Sequence, residues 1–450
     1  MDLFSKEYTG QSNLLEAQEL ITKAIKIKSR LSFNMFLSVK LEVIINSLYM
    51  QSKSIVAILK DEKLKKELHR CMHYSQNELP YICKKLDVDV HVVGPYLKAL
   101  KRFKKKFPRW QNLLLAFSEK SLSQSSSEFA AYYKTNIMKG KKLLNLTGGL
   151  GTDDLLLSSY FNEIISIDKD ENLNEMCIWN MEILGINNVS RLTYKTETYL
   201  FEKNISSFDL IYLDPDRRVG DKKAIILEDY SPNIFQLMPY FIQNKKDTWL
   251  KLSPLIDLDY LVQKFGSYLE QFHLVGIKGE VKEILIKLNF QNDTDIKKLF
   301  LIQSSSYAQN NDFFFEEYTW PPHRVKIQKS EPKKFIYKPN SLLIKSKYAD
   351  SLAVKNNLSG LAITPNLYTS DEQKKIQNFI GYSCLAVFTK WKMGLKFLAE
   401  NTIGELVFFG FSKNEKKQIQ SKFLMKSNNK TIYYLAKTGV TRIMVVLEKL

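Results

Sequence analysis

The stretch from Lys141 to Arg218 constrains the fold more than any other part of the chain: it opens with LLNLTGGLGTDDLLL and closes with DLIYLDPDRR. The apolar run from Leu143 to Leu146 stops abruptly at Thr147-Gly148-Gly149-Leu150-Gly151. Glycines there permit a tight turn and a close approach of backbone to ligand. A helix pattern follows from Asp154 through Leu155, Leu156 and Leu157. The next apolar strand, Ile164-Ile165-Ser166-Ile167, ends on Asp168. That is about where dinucleotide folds place the carboxylate that binds ribose hydroxyls. A further strand, Phe208 to Leu213, runs into Asp214-Pro215-Asp216-Arg217-Arg218. It puts a carboxylate at the carboxyl edge of the sheet, where ligands bind in open α/β folds, and proline stiffens the turn that holds it.

Charge bears on which nucleotide such a turn would hold. Asp153 and Asp154 stand at the start of the helix, where a dinucleotide's pyrophosphate would sit, and two carboxylates would repel it. S-adenosylmethionine (SAM) carries no phosphate, and its sulfonium and amino group tolerate nearby acids. The acidic turn therefore favours SAM over NAD or FAD. An ordinary βα turn with surface acids is the bland alternative.

On SSEFAAYYK (Ser126 to Lys134), NLTGGLGTD (Asn145 to Asp153), DPDRR and LKLSPLID (Leu250 to Asp257), the chain resembles class I SAM-dependent methyltransferases. It is most similar to a bacterial group of them that carries a ferredoxin-like module and a C-terminal THUMP-like domain, over roughly residues 98 to 450. Asn145 departs from the acidic residue usual at the start of the glycine motif, and Phe409-Gly410-Phe411 stands where Arg-Asn-Phe is expected. The resemblance implies a Rossmann-like α/β core with one antiparallel strand in a parallel sheet, flanked by an N-terminal helical domain and a C-terminal α+β region. It implies SAM as cofactor, contacted by Thr147, Gly148, Gly149, Gly151, Asp153, Asp168, Glu197 and Asp214, with the helix ending at Lys134 over its methionine end. THUMP-type modules further imply RNA as partner, with tRNA favoured.

A chain of 450 residues exceeds one compact core. The expected domains are residues 1–110 (helical), 111–325 (methyltransferase), 326–380 (ferredoxin-like) and 381–450 (THUMP-like). In the first, Asn13 and Glu16 form a capping-box pattern, and Leu14, Ala17, Leu20, Ile21, Ala24 and Ile25 make a core-packing stripe. In PYLKALKRFKKKFPRW, Pro95 to Trp110, basic residues interleave with Tyr96, Phe103, Phe107 and Trp110. Such a segment could neutralise phosphates while an aromatic stacks on an unpaired base, or simply be a solvated helix face. Ser121 to Glu128 has a linker's composition, residues 296–335 read as a loop or linker, and Phe313 to Phe315 and Phe408 to Phe411 read as core.

The formal charge of +18 and pI near 9.3 predict a polyanionic partner, nucleic acid ahead of a membrane surface. The four cysteines, Cys71, Cys83, Cys177 and Cys384, lack metal-binding spacing and the five histidines complete no ligand set, so no metal is expected. With no signal-like start and no apolar run long enough for a bilayer, the expected location is cytoplasmic.

Methyl transfer is an in-line displacement that needs the acceptor held close and its proton managed. Asp214 is the candidate proton acceptor. No cysteine lies near it in sequence, which disfavours methylation at pyrimidine carbon-5. For an exocyclic base nitrogen, the stacking aromatic usual after Asp-Pro is replaced by Asp216-Arg217. For a ribose 2′-hydroxyl, a lysine of depressed pKa is required. Lys134, Asp214, Lys251 and Glu283 occur in the order of the Lys-Asp-Lys-Glu tetrad of ribose 2′-O-methyltransferases, which they resemble; a surface Lys251–Glu283 ion pair is the alternative. Asp216, Arg217 and Arg218 are candidate substrate contacts, the arginines as a fork for phosphate or as partners of Glu228 and Asp229. An RNA methyltransferase leads; a methyltransferase of small molecules or proteins and a non-catalytic RNA-binding protein are the alternatives.

Overall fold

The structure is a computed structural model, and it describes residues 54–71, 79–85, 90–219, 222–224, 226–291, 295, 297–308, 313–423, 425–428 and 430–450. The Asn13/Glu16 capping box and the apolar stripe beside it lie outside these residues. The chain divides into two compact units: Met1–Lys104, Asn112–Gln124 and Glu175–Ile183 form the first, and Lys105–Gln111, Ser125–Asn174 and Leu184–Leu450 the second.

The described part of the first unit is helical. It comprises α1 (Ile55–Lys60), α2 (Glu62–Cys71), α3 (Leu79–Lys85), most of α4 (Val90–Lys106) and α5 (Glu119–Gln124). Ser54 caps α1 by accepting the Ala57 N–H at 3.2 Å. Helical spacing puts Val93, Tyr96, Leu100 and Phe103 of α4 on one buried side and leaves Lys98, Lys101, Arg102 and Lys104 exposed. Tyr96 and Phe103 both stack on Phe117, at 4.6 and 4.7 Å. The base-stacking option for this segment is therefore overturned. Its aromatic rings, including Phe107 and Trp110 of the second unit, are buried core, and only its cations face outward.

The second unit is built on two large sheets. Helix α6 (Glu128–Ile137), capped by Ser127, leads into β1 (Lys142–Asn145), α7 (Thr152–Leu157), β2 (Glu163–Asp168), α8 (Glu171–Leu184, of which Glu175–Ile183 belongs to the first unit), β3 (Val189–Thr193), α9 (Thr196–Glu202) and β4 (Leu210–Leu213). A short ribbon of β5 (Arg218–Val219) and β6 (Lys222–Lys223) follows. Then come α10 (Ile234–Gln243), β7 (Thr248–Leu252), α11 (Leu258–Phe265), β8 (Leu269–Ile277), β9 (Glu280–Leu288), β10 (Lys297–Ser304) and β11 (Phe313–Trp320). These strands form a nine-stranded sheet in the order β11-β10-β8-β9-β7-β4-β1-β2-β3. Leu143, Leu144, Ile164 and Ile211 have no exposed surface, as expected of parallel strands covered on both faces. β9 lies antiparallel between β7 and β8, the inserted strand that the resemblance implied. The β8–β9 turn is Lys278-Gly279, both at positive φ, 54° and 81°, the conformation a two-residue hairpin favours.

Residues 296–335 are not simply a linker: they hold the two eight-residue strands β10 and β11, which extend the sheet beyond β8. The sequence concealed this because Leu299 to Ile302 are all buried, so β10 shows no alternation. Phe315, read as core, is 50 % exposed on β11, at the edge of the sheet. Ser121 to Glu128, linker-like in composition alone, holds the end of α5 and the start of α6.

The second sheet takes β12 (Lys329–Ser330), β13 (Phe335–Pro339), β14 (Ser359–Leu361), β15 (Tyr368–Ser370), β16 (Phe379–Phe388), β17 (Glu405–Phe409), β18 (Thr431–Thr438) and β19 (Thr441–Lys449), with α12 (Ser341–Lys345), α13 (Ala349–Lys355), α14 (Trp391–Glu400) and α15 (Lys413–Lys422) in its connections. Its order is β12-β14-β15-β13-β16-β19-β18-β17. β13 pairs with β16 from Phe335↔Ser383 to Pro339↔Phe379, so the stretches before and after residue 380 share this sheet.

Candidate active site

The chain reverses its direction of travel across the first sheet between β1 and β4, and ligands of open α/β sheets bind at the carboxyl ends of strands at such a switch. The glycine turn leaves β1 at this point. At Gly148 a Cβ would lie 2.0 Å from Arg191 Nη1 and 2.6 Å from Ser166 Oγ, so a side chain there would force the guanidinium to shift. Gly149, at φ 51°, has nothing within 4 Å of where a Cβ would be: the turn faces open space.

Asp168 closes β2. Its Oδ2 accepts the Gly149 N–H at 2.8 Å and its Oδ1 the Asp170 N–H at 2.9 Å. Each oxygen keeps a lone pair, which suits a vicinal diol. Thr147 Oγ1 accepts the Asp214 N–H at 2.5 Å and so straps the turn after β1 to the turn after β4. Asn145 accepts from Thr147 N–H at 3.1 Å and donates to Asp154 at 2.7 Å. An ionised acid at position 145 could not make that donation. Glu197 sits exposed in the first turn of α9.

The two acids of the turn do not face a ligand as a bare negative pair. Asp154 is fully buried and bound by Arg191 at 3.1 Å, with Asn145 and Ser166 as further donors. Burial nevertheless pushes its carboxyl above the ordinary range. Asp153 is bound by Lys134 at 3.0 Å, Ser126 at 3.0 Å and Tyr212 at 2.7 Å. Burial would raise its carboxyl, but Lys134, Lys251 and the Tyr212 hydroxyl outweigh that and hold it below the usual value. The repulsion argument against phosphate therefore fails at this turn, because each acid has its own cation.

Lys134, Asp214, Lys251 and Glu283 converge. The Lys134 ammonium is wholly buried; it donates to Ser126 at 3.1 Å and to Asp153, and lies 2.9 Å from Glu283 Oε1, which is off its hydrogen-bond direction. Lys251, from β7, is in direct contact with Asp214, which follows β4. The side chains of Lys251 and Asp214 are 12 % and 33 % exposed, against 0 % and 4 % for Lys134 and Glu283. The first pair opens outward and the second is sealed. The surface Lys251–Glu283 pair is thus overturned: Glu283 is buried and takes Lys134 as partner.

A lysine of depressed pKa is also overturned for Lys251. Burial would lower it, but the carboxylates of Asp214, Glu283 and Asp153 hold it above the ordinary range, and it stays an ammonium. Burial pushes the Asp214 carboxyl up, with Lys251 offsetting this only in part. Burial and the same carboxylates drive the Tyr212 phenol well above its usual value, so it remains a donor.

At the mouth, Arg217 Nη1 donates to Ser253 Oγ at 2.7 Å, and the Arg218 N–H to Asp216 Oδ1 at 3.1 Å. Asp216 is exposed and bridges Ser231 through its backbone. Glu228 is taken by Lys264 at 2.5 Å and Tyr260 at 2.7 Å rather than by an arginine of this turn. Among the described residues no group of three or more His, Cys, Asp or Glu could hold a metal ion, and no helix is long and apolar enough to cross a membrane.

Sequence reasoning missed Ser126, Arg191, Tyr212 and Thr196, whose Oγ1 donates to the Leu146 carbonyl at 2.7 Å. Arg191 left a signal, the single charge in the strand VSRLT. Ser126 was hidden in a serine-rich run and Tyr212 in the apolar strand LIYL.

No protein-family model and no curated protein matches the chain. Among solved structures, that of a "putative methyltransferase" from Porphyromonas gingivalis W83 matches with a TM-score of 0.69 and 22 % identity, over 88 % of this chain and 98 % of that one. The two share a fold along nearly their whole length. M. capricolum TrmK, in complex with the cofactor product S-adenosyl-homocysteine (SAH), matches at 0.29 and 11 % identity, over 37 % of this chain and 70 % of that one. An rRNA methylase from Streptococcus thermophilus matches at 0.26 and 10 % identity, over 36 % and 93 %.

Proposed function

We propose that the protein is a class I SAM-dependent methyltransferase that methylates RNA, with tRNA the favoured substrate, at a ribose 2′-hydroxyl. The observation that carries this reading is the Lys251–Asp214 contact at the carboxyl edges of β7 and β4, the outward-facing pair of an otherwise sealed charged cluster. What supports a methyl donor is that β9 is inverted in a parallel sheet, that the glycine turn opens onto free space, and that the Asp168 carboxylate beside this turn keeps lone pairs that suit a diol. Thr147, Gly149 and Asp168 would hold the adenosine half, and Asp153 would act through Lys134 and Tyr212 at the other end.

SAM supplies an electrophilic methyl group. With SAM bound, the acceptor oxygen would take the methyl group as SAH leaves, and Asp214 would accept the hydroxyl proton and pass it to solvent. The Lys251 ammonium stabilises the developing alkoxide, while Glu283 and Asp153 keep that lysine charged. A carboxyl raised by burial accepts the proton more readily than an ordinary one. An exocyclic nitrogen is less well served, since Asp216-Arg217 offers no ring to stack a flipped base. RNA as substrate is supported by the charge of +18 and the exposed cations of α4, and tRNA by the THUMP-like resemblance; such a substrate puts the enzyme in the cytoplasm.

The test is nucleoside mass spectrometry of RNA from cells with and without the protein, repeated with Asp214→Ala. A 2′-O-methylated nucleoside lost in both deficient samples is expected. Unchanged RNA in both would refute the assignment.

A further inference from the structure

Below the glycine turn lies a buried cation that the proposed chemistry does not use. Arg191, on β3, has no exposed side-chain surface. Its Nη1 reaches Asp154 Oδ2 at 3.1 Å and Ser166 Oγ at 2.8 Å, its Nη2 the Gly149 carbonyl at 2.8 Å, and its Nε Asn174 Oδ1 at 3.0 Å. One guanidinium thus joins β3 to β2, to the glycine turn, to α7 and to α8.

Two routes lead from it to Asp168. Gly149, whose carbonyl Arg191 holds, donates its own N–H to Asp168 Oδ2 at 2.8 Å. Asn174, oriented by Arg191 Nε, donates to the Asp168 carbonyl at 3.0 Å and to Thr193 Oγ1 at 2.9 Å. The empty side-chain position at Gly148 is the third sign, because the guanidinium occupies the space a Cβ would need.

We infer that Arg191 is a positioning residue: it fixes the height of the glycine turn and the direction of the Asp168 carboxylate, and so sets affinity for the nucleoside half of the methyl donor. This rests on the methyltransferase reading. The planar fork is essential to it, since a lysine has one nitrogen and cannot span acceptors lying in these separate directions. Asp154 serves as the counter-ion that makes burial of the fork tolerable.

The experiment is calorimetric titration of the full chain with SAH and with methylthioadenosine, which lacks the amino-acid half, alongside donor kinetics and thermal unfolding. Arg191→Lys and Gly148→Ala are each expected to weaken both ligands by about tenfold or more, the scale of lost hydrogen bonds to a charged group. Donor KM should rise while kcat at saturating SAM stays within about threefold, a split that a loss of folded protein would not produce. Folded Arg191→Lys that binds both ligands within about twofold of wild type overturns the inference, as does a fall in kcat with KM unchanged. Should Arg191→Lys fail to fold, Gly148→Ala, which removes no polar group, decides by the same criteria. Wild-type protein that binds neither ligand would sink the methyltransferase reading itself, an outcome distinct from variants that bind normally.

Discussion

Replacing each site lysine by methionine separates the sealed cation from the reacting one. Lys134→Met leaves Asp153 with only Ser126 and Tyr212 as hydrogen-bond donors, and strips Glu283, at 3 % exposure, of the ammonium 2.9 Å away. Removing one member of a buried pair costs about 3–5 kcal/mol, and two carboxylates share this ammonium, so the upper end applies. Adding Glu283→Gln to Lys134→Met removes one stranded charge and should restore about 1–3 kcal/mol, the usual coupling between contacting groups. Lys251→Met differs, because a third of the Asp214 side chain is open to solvent and water can take the place of the lost ammonium. Its stability cost should be about 1 kcal/mol or less, while turnover falls by about 10²–10⁴. Urea unfolding followed by tryptophan fluorescence gives the first quantity, and methyl incorporation into RNA the second. If Lys134→Met loses less than about 1 kcal/mol and Lys251→Met retains turnover, the division of labour between sealed and open pairs is wrong.

Asp168→Ala should weaken SAH by about tenfold, from two hydroxyl hydrogen bonds to a charged acceptor, with kcat nearly unchanged; equal calorimetric affinities would remove Asp168 from the site. His273 is buried, its Nδ1 2.7 Å from the Tyr133 hydroxyl; burial, aided by Lys287, lowers its pKa from 6.5 to about 3. Its unfolded form takes up a proton first as pH falls, so this stabilisation is present above about pH 6.5 and is lost progressively toward pH 3. By pH 5 the loss is about 2 kcal/mol, and His273→Asn should flatten the stability–pH curve by that amount in parallel urea titrations. Arg217→Ala should reduce the slope of log RNA affinity against log salt by about 1; an unchanged slope would exclude a phosphate contact.

The βαβ core was legible because its signals are local. The glycine turn, the strand ending at Asp168 and the Asp-Pro turn each lie within a few residues and are legible near their true bounds. What stayed hidden depends on contacts remote in sequence. β10 was taken for a linker because both of its faces are covered, which erases the alternation that marks a half-buried strand. The aromatics of α4 were weighed as stacking platforms because lysines between them mimic a binding stripe; only the helical period assigns ring and charge to opposite sides. Asp153 and Asp154 looked like a paired acidic surface, yet their cations arrive from α6 and from β3, 19 and 37 residues away.

The same pairing leaves a different charge argument for the donor, one that rests on the whole cluster. Asp153, Asp214 and Glu283 lie around Lys134 and Lys251, so three carboxyl groups meet two ammonium groups, one formal negative charge in surplus. Burial pushes the Asp214 carboxyl up, and the neighbouring Asp153 adds a smaller push in the same direction. A ligand of net charge +1 would balance the cluster. SAM carries its sulfonium, its ammonium and one carboxylate, and so is such a ligand; SAH, without the sulfonium, is neutral. The site should therefore favour SAM over SAH, and Glu283→Gln, which deletes the surplus charge, should cut that preference by about tenfold, equivalent to 1.4 kcal/mol. Competition binding of the two ligands to wild type and variant measures the ratio directly. A preference unaltered in Glu283→Gln would show that the surplus is neutralised within the protein, and the charge case for the donor would fall with it.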